Sequence, residues 1–278
     1  MSQFFSDLRV SLHLGTALFT FFSSFAFAGS LPFEYGLANL GHCSGAIFRL
    51  EDSRPEDTAL LLTAGHCSKM GSFHGMPAPG ERFHDVPVDV SAKVGTMNQD
   101  ENLIEVHSKR LIFATMTDTD FAVYETDKTY AELGAGKVDV LTLPRVPPSL
   151  AAGDTVVVPV GRTFSIIETQ FVQSVEAVKE GPYLWKHSMV LNKQQGLGPG
   201  TSGAPVVLRG TKMIVGLINS GRDGDDTHCS MSNPCLVDEQ GEVVPAPPGA
   251  PIAQPIHQLY DCLDAGRKFD LKLPSCRL

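Results

Sequence analysis

No stretch of this sequence is rich in lysine and arginine, and acidic residues outnumber basic ones. The 278 residues include 31 Asp and Glu against 22 Lys and Arg, which gives a formal net charge of -9. Proteins that bind nucleic acid need cations clustered against the phosphates. The composition therefore argues against a nucleic-acid partner, and the negative charge itself indicates solubility rather than a particular fold.

Familiar metal motifs are also missing. The sequence has no C-x-x-C pair and no H-E-x-x-H motif, so we expect no structural zinc. We expect no cofactor either. The acidic cluster of Asp223, Asp225 and Asp226 offers the oxygen ligands that calcium prefers. Its spacing does not match an EF-hand loop, and a solvated loop is the simpler interpretation.

Long apolar runs are absent after the N-terminal segment. Residues 10–28 are mostly apolar, Arg9 precedes them, and Ala26 and Ala28 form a small-x-small cleavage site. This pattern predicts a signal peptide over residues 1–28, with an N-terminal membrane anchor as the alternative. After cleavage we expect a secreted or periplasmic protein that is monomeric and free of the membrane.

Every cysteine of the chain follows the predicted cleavage site. Export makes disulfide bonds permissible, and an even number of cysteines suggests three bridges. The residues alone leave their pairing open. The six are Cys43, Cys67, Cys229, Cys235, Cys262 and Cys276.

The mature sequence lacks the alternation of helices and strands found in α/β proteins, and it has no repeat of fixed period. Short apolar runs separated by turns rich in Gly, Pro or Asp instead predict an all-β sandwich or barrel. The runs cover residues 45–50, 59–64, 103–114, 121–124, 155–160, 166–178, 189–191, 205–208 and 213–218.

Proline-rich segments divide the chain. Proline lacks an N–H and cannot complete a strand ladder, so residues 144–148 predict a boundary between a first β unit at 29–143 and a second at 144–278. A second proline-rich break covers residues 245–255. Beyond it, apolar residues within 256–263 recur at roughly helical spacing, which predicts a C-terminal helix.

Three short segments carry the residue types of nucleophilic catalysis. His66 follows an apolar run, Asp120 directly precedes another, and Ser202 lies in a glycine-rich turn. Each residue taken singly has an ordinary structural explanation. Together they match a known chemistry, because serine needs a base to take its proton, histidine titrates near neutrality, and a buried carboxylate orients the imidazole.

The turn around the serine also suits the stabilisation of an oxyanion. A developing negative charge on the substrate carbonyl needs two preorganised donors, and backbone N–H groups are well suited. Gly200 can adopt the backbone angles that turn its N–H inward, and the N–H of Ser202 would be the second donor. Gly203 would let the substrate backbone approach closely.

In this order, the three segments resemble the signatures of the chymotrypsin-like serine peptidases. Residues 63–67 resemble the family's His motif, residues 120–123 its Asp motif and residues 200–205 its nucleophile motif, in the order His, Asp, Ser. The resemblance covers about residues 35–265. It implies two packed six-stranded antiparallel β-barrels and a secreted endopeptidase that cleaves proteins or peptides through an acyl-enzyme.

The resemblance also implies where the substrate binds. The base of the pocket for the P1 residue, which precedes the cleaved bond, would lie six residues before the nucleophile. Residues 215–221 resemble the strand that binds the substrate backbone. The implied substrate-binding residues are Gly196, Leu197, Asn219, Ser220 and Gly221.

These residues suggest an apolar P1 preference. A pocket based on Gly196 offers no carboxylate to a basic side chain. The competing interpretation lets the acidic cluster at 223–226 reach the pocket and select a basic residue. Ile218 stands where a glutamyl endopeptidase would be expected to carry histidine, so an acidic P1 residue is the least favoured.

For the cysteines, the resemblance implies one bridge beside the histidine. The other four have no obvious counterparts in the family, and only their proximity in sequence suggests how they pair. The expected pairs are Cys43–Cys67, Cys229–Cys235 and Cys262–Cys276.

Two departures from the animal digestive enzymes resemble the bacterial branch of the family. Thr201, rather than aspartate, precedes the nucleophile, and the mature chain shows no Ile-Val-Gly-Gly-like start. The resemblance therefore implies that this chain has no ion pair between a new N-terminus and the nucleophile loop.

Two other functions match parts of the pattern. An esterase also uses Ser, His and Asp, and His228 and His257 follow Ser202, but Ala204 occupies the last position of the required G-x-S-x-G elbow. A catalytically inert double barrel used for binding or adhesion is the second alternative. Labelling by a fluorophosphonate probe separates that binding protein from a peptidase.

Overall fold

The structure is a computed structural model, and it describes residues 35–96, 103–222 and 228–276. All of them belong to one compact unit, Leu31–Leu278. The expected signal peptide at 1–28 and the acidic cluster at 223–226 lie outside the described residues. No helix in the described part of the chain is long and apolar enough to span a membrane.

Seven strands form the first sheet, which closes into a barrel. In the order β1-β4-β5-β6-β3-β2, the end strands β1 and β2 also pair, so six antiparallel strands close on themselves, and β7 adds to β2 in parallel. The strands are β1 Leu37–Asn39, β2 Ser44–Leu50, β3 Thr58–Thr63, β4 Arg82–Gly95, β5 Ile104–Thr115, β6 Phe121–Thr129 and β7 Leu141–Leu143.

Eight strands form the second sheet, which closes in the same way. In the order β10-β15-β12-β11-β8-β9, the end strands β10 and β9 also pair, and β13 and β14 extend from β9. The strands are β8 Thr155–Val160, β9 Ser165–Glu180, β10 Tyr183–Leu191, β11 Pro205–Leu208, β12 Ile214–Gly221, β13 Cys235–Val237, β14 Val243–Pro245 and β15 Pro251–Gln254.

The predicted all-β class with two six-stranded antiparallel barrels is therefore confirmed. The apolar runs are continuous, rather than alternating, where both faces of a strand are buried. In β3, for example, Leu61 packs inside the first barrel, whereas Leu62 belongs to a core that also contains Val157 and Leu217 of the second sheet. That shared core packs one barrel against the other.

Several elements differ from the sequence-based expectations. The stretch 245–255, expected to be a proline-rich break, contains strand β15, because a proline can occupy the first position of a strand. The expected C-terminal helix is a short 3-10 helix, His257–Cys262. The chain also has a short helix α1, Tyr130–Ala135, whose start is stabilised by a capping box between Thr129 and Glu132.

Strand β4 was missed, although the sequence contains a signal for it. Val86, Val88, Val90, Ala92 and Val94 recur with the period of two that marks a half-buried strand. Polar and charged residues between them hide the pattern from a search for continuous apolar runs. The disulfide pairing, in contrast, matches the expectation at all three bridges: Cys43–Cys67, Cys229–Cys235 and Cys262–Cys276.

Candidate active site

His66 lies on a short 3-10 helix, Gly65–Ser68, that follows β3. A close approach between this helix and the end of β5 places the histidine. A Cβ atom at position 65 would lie 1.9 Å from the carbonyl oxygen of Thr115 and 2.9 Å from Oδ1 of Asp120. Only glycine allows the backbone before His66 to pack this closely against Thr115 and Asp120. Cys67, the residue after His66, is joined by a disulfide to Cys43, which directly precedes β2.

Asp120 is fully buried and directly precedes β6. Its Oδ2 lies 2.7 Å from Nδ1 of His66, and its Oδ1 accepts the backbone N–H of His66 at 3.0 Å. Both carboxylate oxygens therefore hold the same residue. The neighbouring Asp118 instead forms surface ion pairs with Arg82 and Lys186.

Gln254 on β15 supports the aspartate from behind, and the sequence analysis did not identify it. Its Oε1 accepts the backbone N–H of Asp120 at 2.6 Å and the hydroxyl of Thr119 at 2.9 Å. Gln254 is itself buried. No local pattern marked this residue, because it lies in the stretch that we expected to be a proline-rich break.

The protonation of His66 is governed by opposing effects. Burial lowers the pKa of His66, whereas the negative charge of Asp120, its hydrogen bond to the ring and the more distant charge of Glu180 raise it. The net result is a pKa above the ordinary histidine value of 6.5. The imidazolium is thus stabilised while 21% of the side chain remains exposed to solvent.

Ser202 lies in a loop that is fixed from both barrels. Its carbonyl oxygen accepts the N–H of Ser44 at 2.9 Å, and the N–H of Gly203 donates to Ile218 at 2.7 Å. Ser202 and His66 line the same cleft. Within the described residues, Ser202 Oγ makes no hydrogen bond to the imidazole, and such bonds are often long in ligand-free enzymes.

The loop before Ser202 presents backbone donors. Gly200 has a φ of 89°, and the N–H and hydroxyl of Thr201 both donate to the carbonyl of Gly198, at 3.0 and 2.7 Å. In the described part of the chain, neither the N–H of Gly200 nor that of Ser202 donates to a protein acceptor. Both remain available to a ligand.

The cleft has a volume of about 390 Å³. Of the expected substrate-binding residues, four line it: Leu197, Asn219, Ser220 and Gly221. Gly196 is not among the lining residues, and a Cβ atom at this position would lie 3.0 Å from Cδ1 of Ile167. The cleft also contains the carboxylate of Glu180, which the sequence analysis did not identify.

One group near the cleft has the donor atoms of a metal site. The sulfurs of Cys43 and Cys67 and a ring nitrogen of His66 lie within 4.8 Å of one another. The two sulfurs are joined in a disulfide, whereas a cysteine that ligates a metal does so as a thiolate. This group is therefore unsuited to hold a metal ion.

Comparisons with known proteins bear on the fold. No family model matches the sequence, and no curated protein matches it. Among solved structures, the mouse serine protease neuropsin matches with 15% identity and a TM-score of 0.46, over 82% of this chain and 91% of its own. The protease domain of MamO from Magnetospirillum magneticum matches with 12% identity and a TM-score of 0.47, over 80% and 88%.

Kallikrein-related peptidase 10 matches with 14% identity and a TM-score of 0.45, over 81% of this chain and 90% of its own. The structural neighbours are chymotrypsin-like serine proteases.

Proposed function

We propose that this chain is a serine endopeptidase with His66, Asp120 and Ser202 as its catalytic triad. The observation that carries the proposal is the hydrogen bond between His66 and buried Asp120. His66 lines the same cleft as Ser202. A carboxylate paired with an imidazole beside a serine provides a nucleophile with its base.

The proposed reaction begins with attack of Ser202 Oγ on the substrate carbonyl carbon. His66 accepts the hydroxyl proton, and Asp120 stabilises the resulting imidazolium. The tetrahedral oxyanion accepts hydrogen bonds from the N–H groups of Gly200 and Ser202. His66 then protonates the leaving amine as the C–N bond breaks, and a water molecule, activated by the same histidine, hydrolyses the acyl-enzyme.

The surroundings support this assignment. The Gly200 and Ser202 N–H groups lack protein acceptors within the described residues, as donors for a transient charge must. Three disulfides are typical of proteins that fold in an oxidising compartment. They support the proposal that the enzyme acts outside the cytoplasm, after removal of residues 1–28, on protein or peptide substrates.

A fluorophosphonate probe tests the proposal directly. We expect covalent labelling at Ser202, located by peptide mass spectrometry, together with hydrolysis of an unstructured protein substrate. Ser202→Ala removes both signals, whereas the control Ser174→Ala, at an exposed position of β9, retains both. A folded protein that shows neither labelling nor hydrolysis contradicts the proposal and favours the inert binding protein.

A further inference from the structure

Glu180 is a buried carboxylate in the cleft that the proposed mechanism does not use. It is the last residue of β9, at the turn into β10, and only 4% of it is exposed. It lines the same cleft as His66 and Ser202. A carboxylate is rarely buried without a partner that compensates its charge.

The partners of Glu180 within the described residues are neutral. Oε1 accepts the backbone N–H of Ser232 at 2.8 Å, and Oε2 accepts the hydroxyl of Ser220. No lysine, arginine or histidine of the described chain forms an ion pair with it. Arg222, which also lines the cleft, donates from Nη1 to the carbonyl of Ala246. Each oxygen of Glu180 retains capacity to accept a further hydrogen bond.

The raised pKa of Glu180 agrees with a buried carboxylate that has no cationic partner in the described part of the chain. Burial is the main effect that raises the pKa of Glu180. The hydrogen bonds from Ser220 and Ser232 oppose that effect, the negative charge of Asp120 adds to it, and the charge of His66 opposes it. A cation bound in the cleft would favour the ionised form of Glu180.

Asn219 is a further polar residue that lines the cleft. It is buried, and neither its Oδ1 nor its Nδ2 makes a hydrogen bond within the described residues. The register between β12 and β15 shifts from Ile218 to Ser220, so Asn219 is the residue of a β-bulge. Bulges redirect side chains beside functional sites, and Asn219 and Ser220 both line the cleft.

Apolar side chains form much of the rest of the cleft lining, which also includes Arg222. These apolar side chains offer a surface on which a chain of methylene groups can pack. Lysine and arginine carry a charged group at the end of such a methylene chain. The apolar lining residues are Met76, Met116, Trp185, Leu197, Pro199, Ile218, Met231 and Pro251.

We infer that Glu180, Ser220 and Asn219 form a subsite that selects a lysine or arginine side chain of the peptide substrate. The inference rests on the proposed function and makes the substrate class specific. It places the charge for recognition on β9 rather than at Gly196, where the resemblance had placed the base of the pocket. An acidic substrate side chain is repelled by the same carboxylate.

The test uses the non-cleaving Ser202→Ala protein, so binding is measured without hydrolysis. Alanine-based hexapeptides carry lysine, norleucine or glutamate at one position, and each position is scanned by calorimetry. At one position we expect lysine to bind about tenfold or more tightly than norleucine, as a hydrogen bond to a charged group allows. Glu180→Gln removes the preference, and the matched control Glu176→Gln, on the same strand but half exposed, retains it.

Hydrolysis of the same peptides by the active protein separates the two proposals. Labelling at Ser202 without any preference for lysine overturns the subsite and leaves the peptidase assignment intact. Lysine-selective binding without labelling or hydrolysis supports the subsite and overturns the peptidase assignment. If Glu180→Gln fails to fold, Glu180→Asp takes its place in the binding test. The inference is then judged by whether the parent Ser202→Ala protein binds the lysine peptide more tightly than the norleucine peptide. Equal binding of lysine and norleucine by the parent overturns the inference.

Discussion

At the scale of single residues, charge decides what the cleft can do. His66 is useful as a base only when neutral, yet Asp120 stabilises its protonated form through a 2.7 Å contact. The same interaction that orients the imidazole therefore makes it a stronger base. The net effect on the pKa of His66 is upward, even though burial of the ring opposes it.

The pH profile of activity should report this shift. Because protonated His66 cannot accept the serine proton, kcat/KM falls as the pH drops through the pKa of the free enzyme. A raised pKa places the midpoint of this acid limb above 6.5, the ordinary histidine value. Steady-state kinetics between about pH 5 and 9 measure the midpoint. A midpoint well below 6.5 contradicts the stabilising role of Asp120.

The two neighbouring aspartates should respond very differently to the same substitution. Asp120→Asn favours the wrong imidazole tautomer, and we expect kcat to fall by roughly 10⁴-fold. Asp118→Asn is the matched control, because 41% of the Asp118 side chain is exposed and its ion pairs lie at the surface. Such pairs contribute little to stability, so activity should change less than about threefold. A crippled Asp118→Asn enzyme would refute the assignment of Asp120.

At the scale of secondary-structure elements, β15 is more than a barrel strand. It pairs with both β10 and β12 and brings Gln254 to the start of β6. Asp120 is thereby anchored from the second barrel, although it directly precedes β6 of the first sheet. In the proposed triad Gln254 would act as a positioning residue, because it contacts the backbone of Asp120 and not the carboxylate.

Removing this anchor should affect both stability and turnover. Gln254→Leu leaves the N–H of Asp120 and the hydroxyl of Thr119 without their acceptor. Each buried donor that loses its hydrogen bond lowers the free energy of unfolding by about 1–3 kcal/mol. We expect a lower free energy of unfolding in urea and a lower kcat, with KM nearly unchanged. Gln173→Leu, at an exposed position of β9, is the control. An unchanged kcat in a destabilised Gln254→Leu protein would limit Gln254 to a structural role.

At the scale of the whole molecule, the loop around Ser202 is held by hydrogen bonds within the loop and from the first barrel. The Thr201 hydroxyl donates to the Gly198 carbonyl at 2.7 Å, and Ser44 of the first barrel holds both Gly200 and Ser202. A buried ammonium group would need a charged partner, and Thr201 offers none. The loop therefore has no acidic residue at position 201 to receive a new N-terminus.

Extra residues before Gly29 should consequently leave turnover unchanged. Purified chains that begin at Gly29, or carry a few additional residues, should have the same kcat/KM within about twofold. Fluorophosphonate titration corrects for the fraction of active protein. Activity that appears only after a new N-terminus is cut, and disappears when that amine is acetylated, would overturn this prediction.

The sequence by itself determined the local features of this protein. Continuous apolar runs marked most barrel strands, since a strand buried on both faces needs apolar side chains at consecutive positions. The three segments of the proposed triad were likewise visible, because each depends on a short motif around His66, Asp120 or Ser202.

Only the tertiary structure decided which distant residues come together at the site. Gln254 meets Asp120 across 134 positions of the chain, and its surroundings in sequence suggested a proline-rich break. Glu180 ends an amphipathic strand in which polar residues are common, so nothing local distinguishes it from an exposed neighbour such as Glu176. Its burial results from the packing of Ser220 and Ser232 around it, and contacts between separate strands depend on register and barrel closure, which no local pattern encodes.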